Sequence, residues 1–320
     1  YYEQKAGLMD LERSDLVRIV HMYYEENYTQ QQIAEHFGCS RMAVSRCLRK
    51  AKDTGIVRIE INYDGIFPEL ECGMREKFGL SDVSIVPYEN DLQLKSRLAQ
   101  EAAGFLLRRL RPGNVVGVGW GSTLALIPDF LVHAPAMDVT FVPLLGGYGQ
   151  ISNRMHANQI ASRLGELFGG KSYILNAPAL VSNISLKKNL MEDPAVKLTL
   201  DVARSADIAL VGVGSPFAED STLLDSGYYS SDDLEKLRAS KIECNLLSMI
   251  YIDDEGHERS LDVADRNIGI TSEEYKKIPL KIAAAGGRGK LSAVYSAIRQ
   301  RLADVMVTDE KTAEFCLGMQ

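Results

Sequence analysis

Short apolar runs that close on glycine constrain this chain more than any other feature. Val83–Val86, Val115–Val118, Val139–Pro143, Ile208–Val213, Lys281–Ala285 and Val305–Val307 are each too short for a helix, and the stretches between them are long enough to hold one. Strands spaced in this way pair in parallel, because a parallel connection needs a crossover of a dozen or more residues. Glycines cluster at the ends of four runs: Gly117-Val118-Gly119-Trp120-Gly121-Ser122-Thr123, Leu144-Leu145-Gly146-Gly147, Val211-Gly212-Val213-Gly214-Ser215 and Ala285-Gly286-Gly287-Arg288-Gly289-Lys290. In an open α/β sheet, ligands bind outside the carboxyl ends of the strands. Glycine there lets a ligand reach backbone N–H groups, and the helix N-terminus that follows favours an anion. Ser122 and Thr123 add hydroxyl donors, and Arg288 and Lys290 add charge suited to a phosphate. A single glycine after a strand is ordinary turn geometry; four such loops on one edge carry the argument. The expected fold class is α/β, with a Rossmann-like doubly wound parallel sheet over residues 62–320. Neither nucleotide fingerprint is present. Gly-x4-Gly-Lys-Ser/Thr is absent, and Gly119 is followed by Trp120-Gly121 without a third glycine at the required offset.

Residues 1–61 follow a different pattern. Asp15–Glu26 reads as a helix with Leu16, Ile19, Val20 and Tyr23 on one face. Asn27-Tyr28 breaks it. Thr29-Gln30-Gln31-Gln32 is a capping box, in which the Thr29 hydroxyl accepts from the Gln32 N–H and the Gln32 side chain returns the bond. A short helix through Phe37 follows, then a Gly38-Cys39 turn. Ser40 caps a third helix from Arg41 to about Thr54, which Gly55 stops. Ala34, where two helices cross closely, Gly38, where the turn needs positive φ, and Val44, which closes the core, form an Ala-x3-Gly-x5-Val frame. With two caps, that frame specifies a helix-turn-helix. Val57-Arg58-Ile59-Glu60-Ile61 alternates with period two and reads as a strand; Asn62–Pro68 reads as the linker.

Charge points the same way. The formal net charge is −7, yet residues 38–58 hold Arg41, Arg46, Arg49, Lys50, Lys52 and Arg58 against Asp53 alone. A local basic excess on an acidic chain is a candidate phosphate-binding patch. Arg41, Met42, Ser45, Arg46 and Arg49 would face the major groove, where Arg can bridge guanine and Ser can bond either base edge. Lys50, Lys52 and the polar end at Thr29, Gln30 and Gln31 are placed for the phosphates, Ser40 is a further candidate DNA contact, and Arg49 suits either role. Operator-type DNA is therefore one expected partner. The apolar runs are far too short to span a bilayer, and no N-terminal apolar region precedes a cleavage site; a cytoplasmic protein with no membrane partner is expected. Five scattered cysteines without a CxxC pair suit reduced thiols, and five dispersed histidines form no metal-ligand pattern.

The ordered motifs Gly55-Ile56-Val57-Arg58-Ile59, Gly117 to Thr123, Pro143 to Gly147, Ala157-Asn158, Ala209 to Gly214, Ala284 to Gly287 and Val307-Thr308-Asp309-Glu310-Lys311-Thr312-Ala313 resemble those of the SorC/DeoR-type bacterial transcriptional regulators, over residues 14–317. The resemblance implies an effector domain related to phosphosugar isomerases and CoA transferases, a sugar or sugar phosphate as ligand, and a homo-oligomer, a tetramer, that regulates a carbohydrate operon without a cofactor. It implies a pocket in which Gly119, Gly121, Ser122 and Thr123 hold one phosphate. Gly146, Gly147, His156 and Asn158 surround the sugar. Gly214, Gly286, Gly287 and Lys290 complete the site, with Lys290 at a second anionic end. Leu145 and Asn245-Leu246 depart from the family pattern, which implies an effector of different charge or hydroxyl arrangement. His156 reads either as a ligand contact or as a surface helix-start residue. An alternative remains: an active phosphosugar isomerase-like enzyme carrying a DNA-binding arm. Isomerisation needs a base near a substrate carbon, for which the loops offer Glu219, Asp220 and Asp309, none within a catalytic motif.

Overall fold

Three helices with two side-chain caps build the N-terminal unit. Helix α1 spans Arg13–Tyr24, α2 Gln30–Phe37 and α3 Arg41–Asp53. The computed structural model describes residues 13–57, 65–147, 152–218, 221, 223 and 226–319, and the chain divides between Asp64 and Gly65 into two units. The Thr29 box closes in both directions, with Gln32 N–H on Thr29 Oγ1 at 3.3 Å and Thr29 N–H on Gln32 Oε1 at 2.9 Å. Gly38 takes φ +62°, a left-handed conformation that costs a side-chain-bearing residue about 1–2 kcal/mol. Ser40 accepts from the Ala43 N–H and starts α3. Leu16, Ile19, Ile33, Ala34, Val44, Cys47, Leu48 and Ala51 form the core. Helix α1 lies two residues upstream of the expected span, because Asn27 at φ +58° ends the turn that Glu25 and Glu26 close on the His21 carbonyl. The expected strand Val57–Ile61 falls, beyond Val57, outside the described residues.

The second unit holds a seven-stranded sheet. Its elements run α4 (Pro68–Phe78), β1 (Asp82–Val86), α5 (Asp91–Arg109), β2 (Val115–Val118), β3 (Thr140–Pro143), α6 (Ala157–Phe168), β4 (Lys171–Ser172), α7 (Ile184–Glu192), α8 (Pro194–Arg204) and β5 (Ile208–Val211). They continue with α9 (Ser231–Ala239), β6 (Ile242–Leu246), β7 (Ile250–Asp253), α10 (Asp262–Asp265), α11 (Ser272–Lys276), β8 (Leu280–Ala284), α12 (Leu291–Arg299), β9 (Val305–Asp309) and α13 (Glu310–Gly318). The sheet order is β1-β9-β8-β5-β2-β3-β4, with every pair parallel. Alternate strand residues serve two cores. Ala209, Val211, Ala283 and Met306 pack with Met74, Ala297 and Cys316 on one face; Ile208, Leu210, Ile282 and Val305 pack with Leu98, Leu164 and Phe168 on the other. Burial on both faces is what makes the strands read as unbroken apolar runs.

All six expected strands form. β5 stops at Val211 instead of Val213, because the chain then turns so that Gly214 can pair with Asn245. β4 and the antiparallel β6–β7 hairpin were not expected. β4 has two residues, β6 alternates apolar and polar residues over only five positions, and β7 is buried throughout and shows no alternation. Leu247 (φ +56°) and Ser248 (φ +53°) make the tight hairpin turn, closed by Met249 N–H on the Leu246 carbonyl. Two consecutive side-chain-bearing residues at positive φ are strained.

Candidate functional site

Strand order reverses between β2 and β5: β3 and β4 continue to one side of β2, and β8, β9 and β1 lie beyond β5. A doubly wound sheet opens a crevice at such a point. A cleft lies there, lined by Trp120 to Leu124 after β2, Gly212 to Ser215 after β5, Ala284 at the end of β8, and Lys290. Ser221, Leu223, Asn245 and Leu247 complete the wall.

The loop after β2 supplies donors. Thr123 caps a 3-10 helix, Leu124–Phe130, without a side-chain bond, and is itself buried. Among the described residues, no acceptor takes the Ser122 or Thr123 backbone N–H. A helix start with unused N–H groups favours an anion. Lys290 is the single charged side chain among the described residues that line the cleft. Trp120 both lines it and packs against the core.

Sequence reasoning passed over Asn245 as a ligand contact. It is 5% exposed, and among the described residues its Nδ2 has no hydrogen-bond partner. Two main-chain bonds to Gly214, at 2.9 and 2.8 Å, hold its backbone. A buried amide donor without an acceptor costs about 1–3 kcal/mol, so its presence in a cleft wall points to an acceptor on a ligand. The signal available was slight: a polar residue at an alternate position of Ile242-Glu243-Cys244-Asn245-Leu246.

The expected pocket residues separate into two groups. Gly121, Ser122, Thr123, Gly214 and Lys290 line the cleft together. Gly119, Gly146, Gly147, His156, Asn158, Gly286 and Gly287 do not line it, and most are occupied structurally. The Gly119 N–H donates to the Leu210 carbonyl at 2.9 Å and joins β2 to β5. The Gly146 and Gly147 N–H groups donate to the Ile268 and Ala177 carbonyls at 2.9 Å, and a Cβ on Gly146 would lie 2.5 Å from two carbonyl oxygens. Asn158 clamps Leu175, accepting its N–H at 2.9 Å and donating to its carbonyl at 3.1 Å. His156 lies beside Gly147, with Nδ1 3.4 Å from where a Gly147 Cβ would be. Its neighbour Met155 accepts from the Gly121 N–H at 3.1 Å, so this loop braces the donor loop. The Asp309 carboxylate holds Gly287 through its N–H at 2.7 Å.

On the helical unit, Arg41, Met42, Arg46, Arg49 and Lys50 are exposed along α3, and Ser45 is half-buried. Among the described residues none of these four cations forms an ion pair. Thr29, Gln31 and Ser40 are exposed near the helix starts, and Gln30 is half-buried. The basic face is thus open, and its cap hydroxyls are engaged with the backbone.

Comparison with known proteins agrees with both units. A family model for a sugar-binding domain matches residues 67–318, and a sigma-70 region 4 model matches residues 17–53. The sorbitol operon regulator of Klebsiella pneumoniae is 30% identical over 318 residues, covering 96% of this chain and all of that protein. The transcriptional regulator LsrR of an Enterobacter species is 30% identical over 320 residues, covering 98% and 96%. The crystal structure of full-length SorC from Klebsiella pneumoniae superposes with a TM-score of 0.74, at 28% identity over 96% of this chain and all of that one. With its helix-turn-helix, its switch-point cleft and these full-length matches, the chain belongs to the SorC/DeoR-type family of bacterial sugar-responsive transcriptional regulators.

Proposed function

We propose that this chain binds operator DNA through α3 and that a sugar or sugar phosphate in the switch-point cleft sets its affinity for that DNA. The carrying observation is the cleft's chemistry among the described residues: unused N–H groups at Ser122 and Thr123, one lysine, and an unpaired buried amide at Asn245. A phosphate suits the N–H groups and Lys290, and a neutral oxygen suits Asn245. The relatives named for sorbitol regulation and LsrR support a sugar-derived ligand. The expected contacts are Gly121, Ser122, Thr123, Gly214, Asn245 and Lys290, with the Met155 carbonyl bracing the donor loop through the Gly121 N–H.

The same inventory favours a sensor over an enzyme. Of the carboxylates weighed as bases, Asp309 is fully buried and its oxygens accept four protein hydrogen bonds. Glu219 and Asp220 lie outside the described residues. Among the described residues lining the cleft there is no carboxylate. Asp253, Glu255 and His257 stand close enough to share an ion, but Asp253 is committed to the His257 and Glu255 N–H groups and to Arg259.

A cytoplasmic homo-oligomer, a tetramer, completes the reading, since one helix-turn-helix reads few base pairs and operators repeat at helical-turn spacing. No helix among the described residues is long and apolar enough to cross a membrane. A thermal-shift screen of sugars, polyols and their phosphates tests the ligand. At a hundred times its Kd, a ligand stabilises by about 2.7 kcal/mol. If no member of the panel stabilises the protein, or NMR shows turnover, the sensor reading fails. A monomeric mass in light scattering, with and without ligand, would exclude the oligomer.

A further inference from the structure

We propose that α13 is a strut through which the effector cleft acts on α4, the first helix after the linker. The inference rests on the effector reading above and concerns how that site is coupled.

The N-terminal end of α13 is fastened to the cleft loop. Asp309 ends β9 and caps α13, accepting from the N–H groups of Lys311 and Thr312 at 3.0 and 3.1 Å. Its other oxygen accepts from the Thr312 hydroxyl at 2.6 Å and from the Gly287 N–H at 2.7 Å. One fully buried carboxylate therefore fixes a helix start and a loop at once. Gly286 leaves room for it: a Cβ there would lie 2.2 Å from Asp309 Oδ2. The Lys290 N–H closes back on the Gly287 carbonyl at 2.9 Å, so the lysine that lines the cleft hangs from this anchor.

The C-terminal end is fastened to α4. Lys77 Nζ donates to the carbonyls of Cys316 at 3.2 Å and Leu317 at 3.0 Å, and also to that of Met319. These are final-turn carbonyls that lack helical partners, and a cation is favoured there. Gly73 of α4 meets Leu317 so closely that a Cβ would lie 3.3 Å from its methyl carbons. Met74, Ala313 and Cys316 are buried in the same core.

A short helix held at both ends by charge-assisted bonds transmits displacement instead of absorbing it, because packed cores do not deform continuously. An anion on Lys290 that shifts the 286–290 loop moves the Asp309 anchor, and α13 carries that motion to α4. The sequence then leads from α4 through residues 65–67 to the linker. The coupling can be no larger than the difference in ligand affinity between the two arrangements.

Hydrogen–deuterium exchange on the full chain tests this, with inorganic phosphate and fructose 6-phosphate as separate probes. In the wild type, either probe slows exchange at 122–124 and 286–290 and changes it within 68–78. Lys77→Met keeps the first effect and loses the second. Gly73→Ala, which respaces the α13–α4 contact without removing a hydrogen bond, reduces the second effect as well. It decides the matter if Lys77→Met fails to show a native circular dichroism spectrum. Protection confined to the cleft in the wild type overturns the strut, as does unreduced transmission in the folded variant. If neither probe protects 122–124 or 286–290, the effector reading falls and the strut with it.

Discussion

Replacing Asn245 with leucine separates a residue kept for binding from one kept for folding. Asn245 is 5% exposed, flanked by fully buried Cys244 and Leu246, and its Nδ2 donates to none of the described residues. Such a donor costs the folded state about 1–3 kcal/mol, and an apolar side chain of similar size removes that cost. Slight overpacking takes back about 1 kcal/mol. Asn245→Leu is therefore expected to stabilise the ligand-free protein by up to about 2 kcal/mol. In a unit of this size, each kcal/mol raises Tm by about 2–4 °C. With ligand the sign reverses. The effector oxygen that Asn245 would bond is left unpaired, and binding weakens about ten- to a hundredfold, or about 1.4–2.8 kcal/mol. Differential scanning fluorimetry with and without the effector found in the screen reads both effects. A variant that melts lower than wild type and keeps its ligand response would refute the reasoning.

Two further outcomes follow from other parts of the molecule. Arg46→Ala should cost roughly 1–3 kcal/mol on the true operator and relax its sequence preference, whereas Lys50→Ala should weaken all sequences alike and lower the salt slope by about 1; equal gel-shift binding by wild type and both variants contradicts the α3 assignment. Burial alone would raise the Asp233 pKa, but hydrogen bonds from Ser230 and Arg266 outweigh it and hold the pKa below its ordinary value. A lowered folded pKa stabilises above the unfolded value of about 3.9, and that stabilisation is lost as pH falls through the folded value. Arg266→Ala should accordingly cost about 3 kcal/mol in urea melts at neutral pH, with the gap to wild type narrowing below about pH 4. A gap independent of pH would contradict it.

The helix-turn-helix was legible almost to the residue, because its signals are local. The Thr29 and Ser40 caps, and the Gly38 turn, act over three or four residues and need no tertiary partner. The parallel sheet was legible from runs buried on both faces, and the Ser122–Thr123 side of the cleft from glycines that follow β2. What sequence could not show was which glycines serve a ligand and which serve the chain itself. Gly146 is required by carbonyls of residues 177 and 178 that would lie 2.5 Å from any Cβ there, and Gly286 by a carboxylate 23 positions downstream. Both demands come from contacts remote in sequence. Asn245 was hidden for a similar reason: it alternates with apolar neighbours as a solvent-facing strand residue would, and only the pairing with remote Gly214 places it, buried, in the cleft wall.

Operator affinity measured against effector concentration, for wild type and for Ser122→Ala with Lys290→Ala, tests the central claim most directly. A hundredfold change in wild-type operator binding corresponds to about 2.7 kcal/mol of coupling. The double variant should bind operator like wild type when no effector is present, and its affinity should then stay flat as effector is added. A double variant that responds with an unchanged midpoint would contradict the placement of the effector in this cleft.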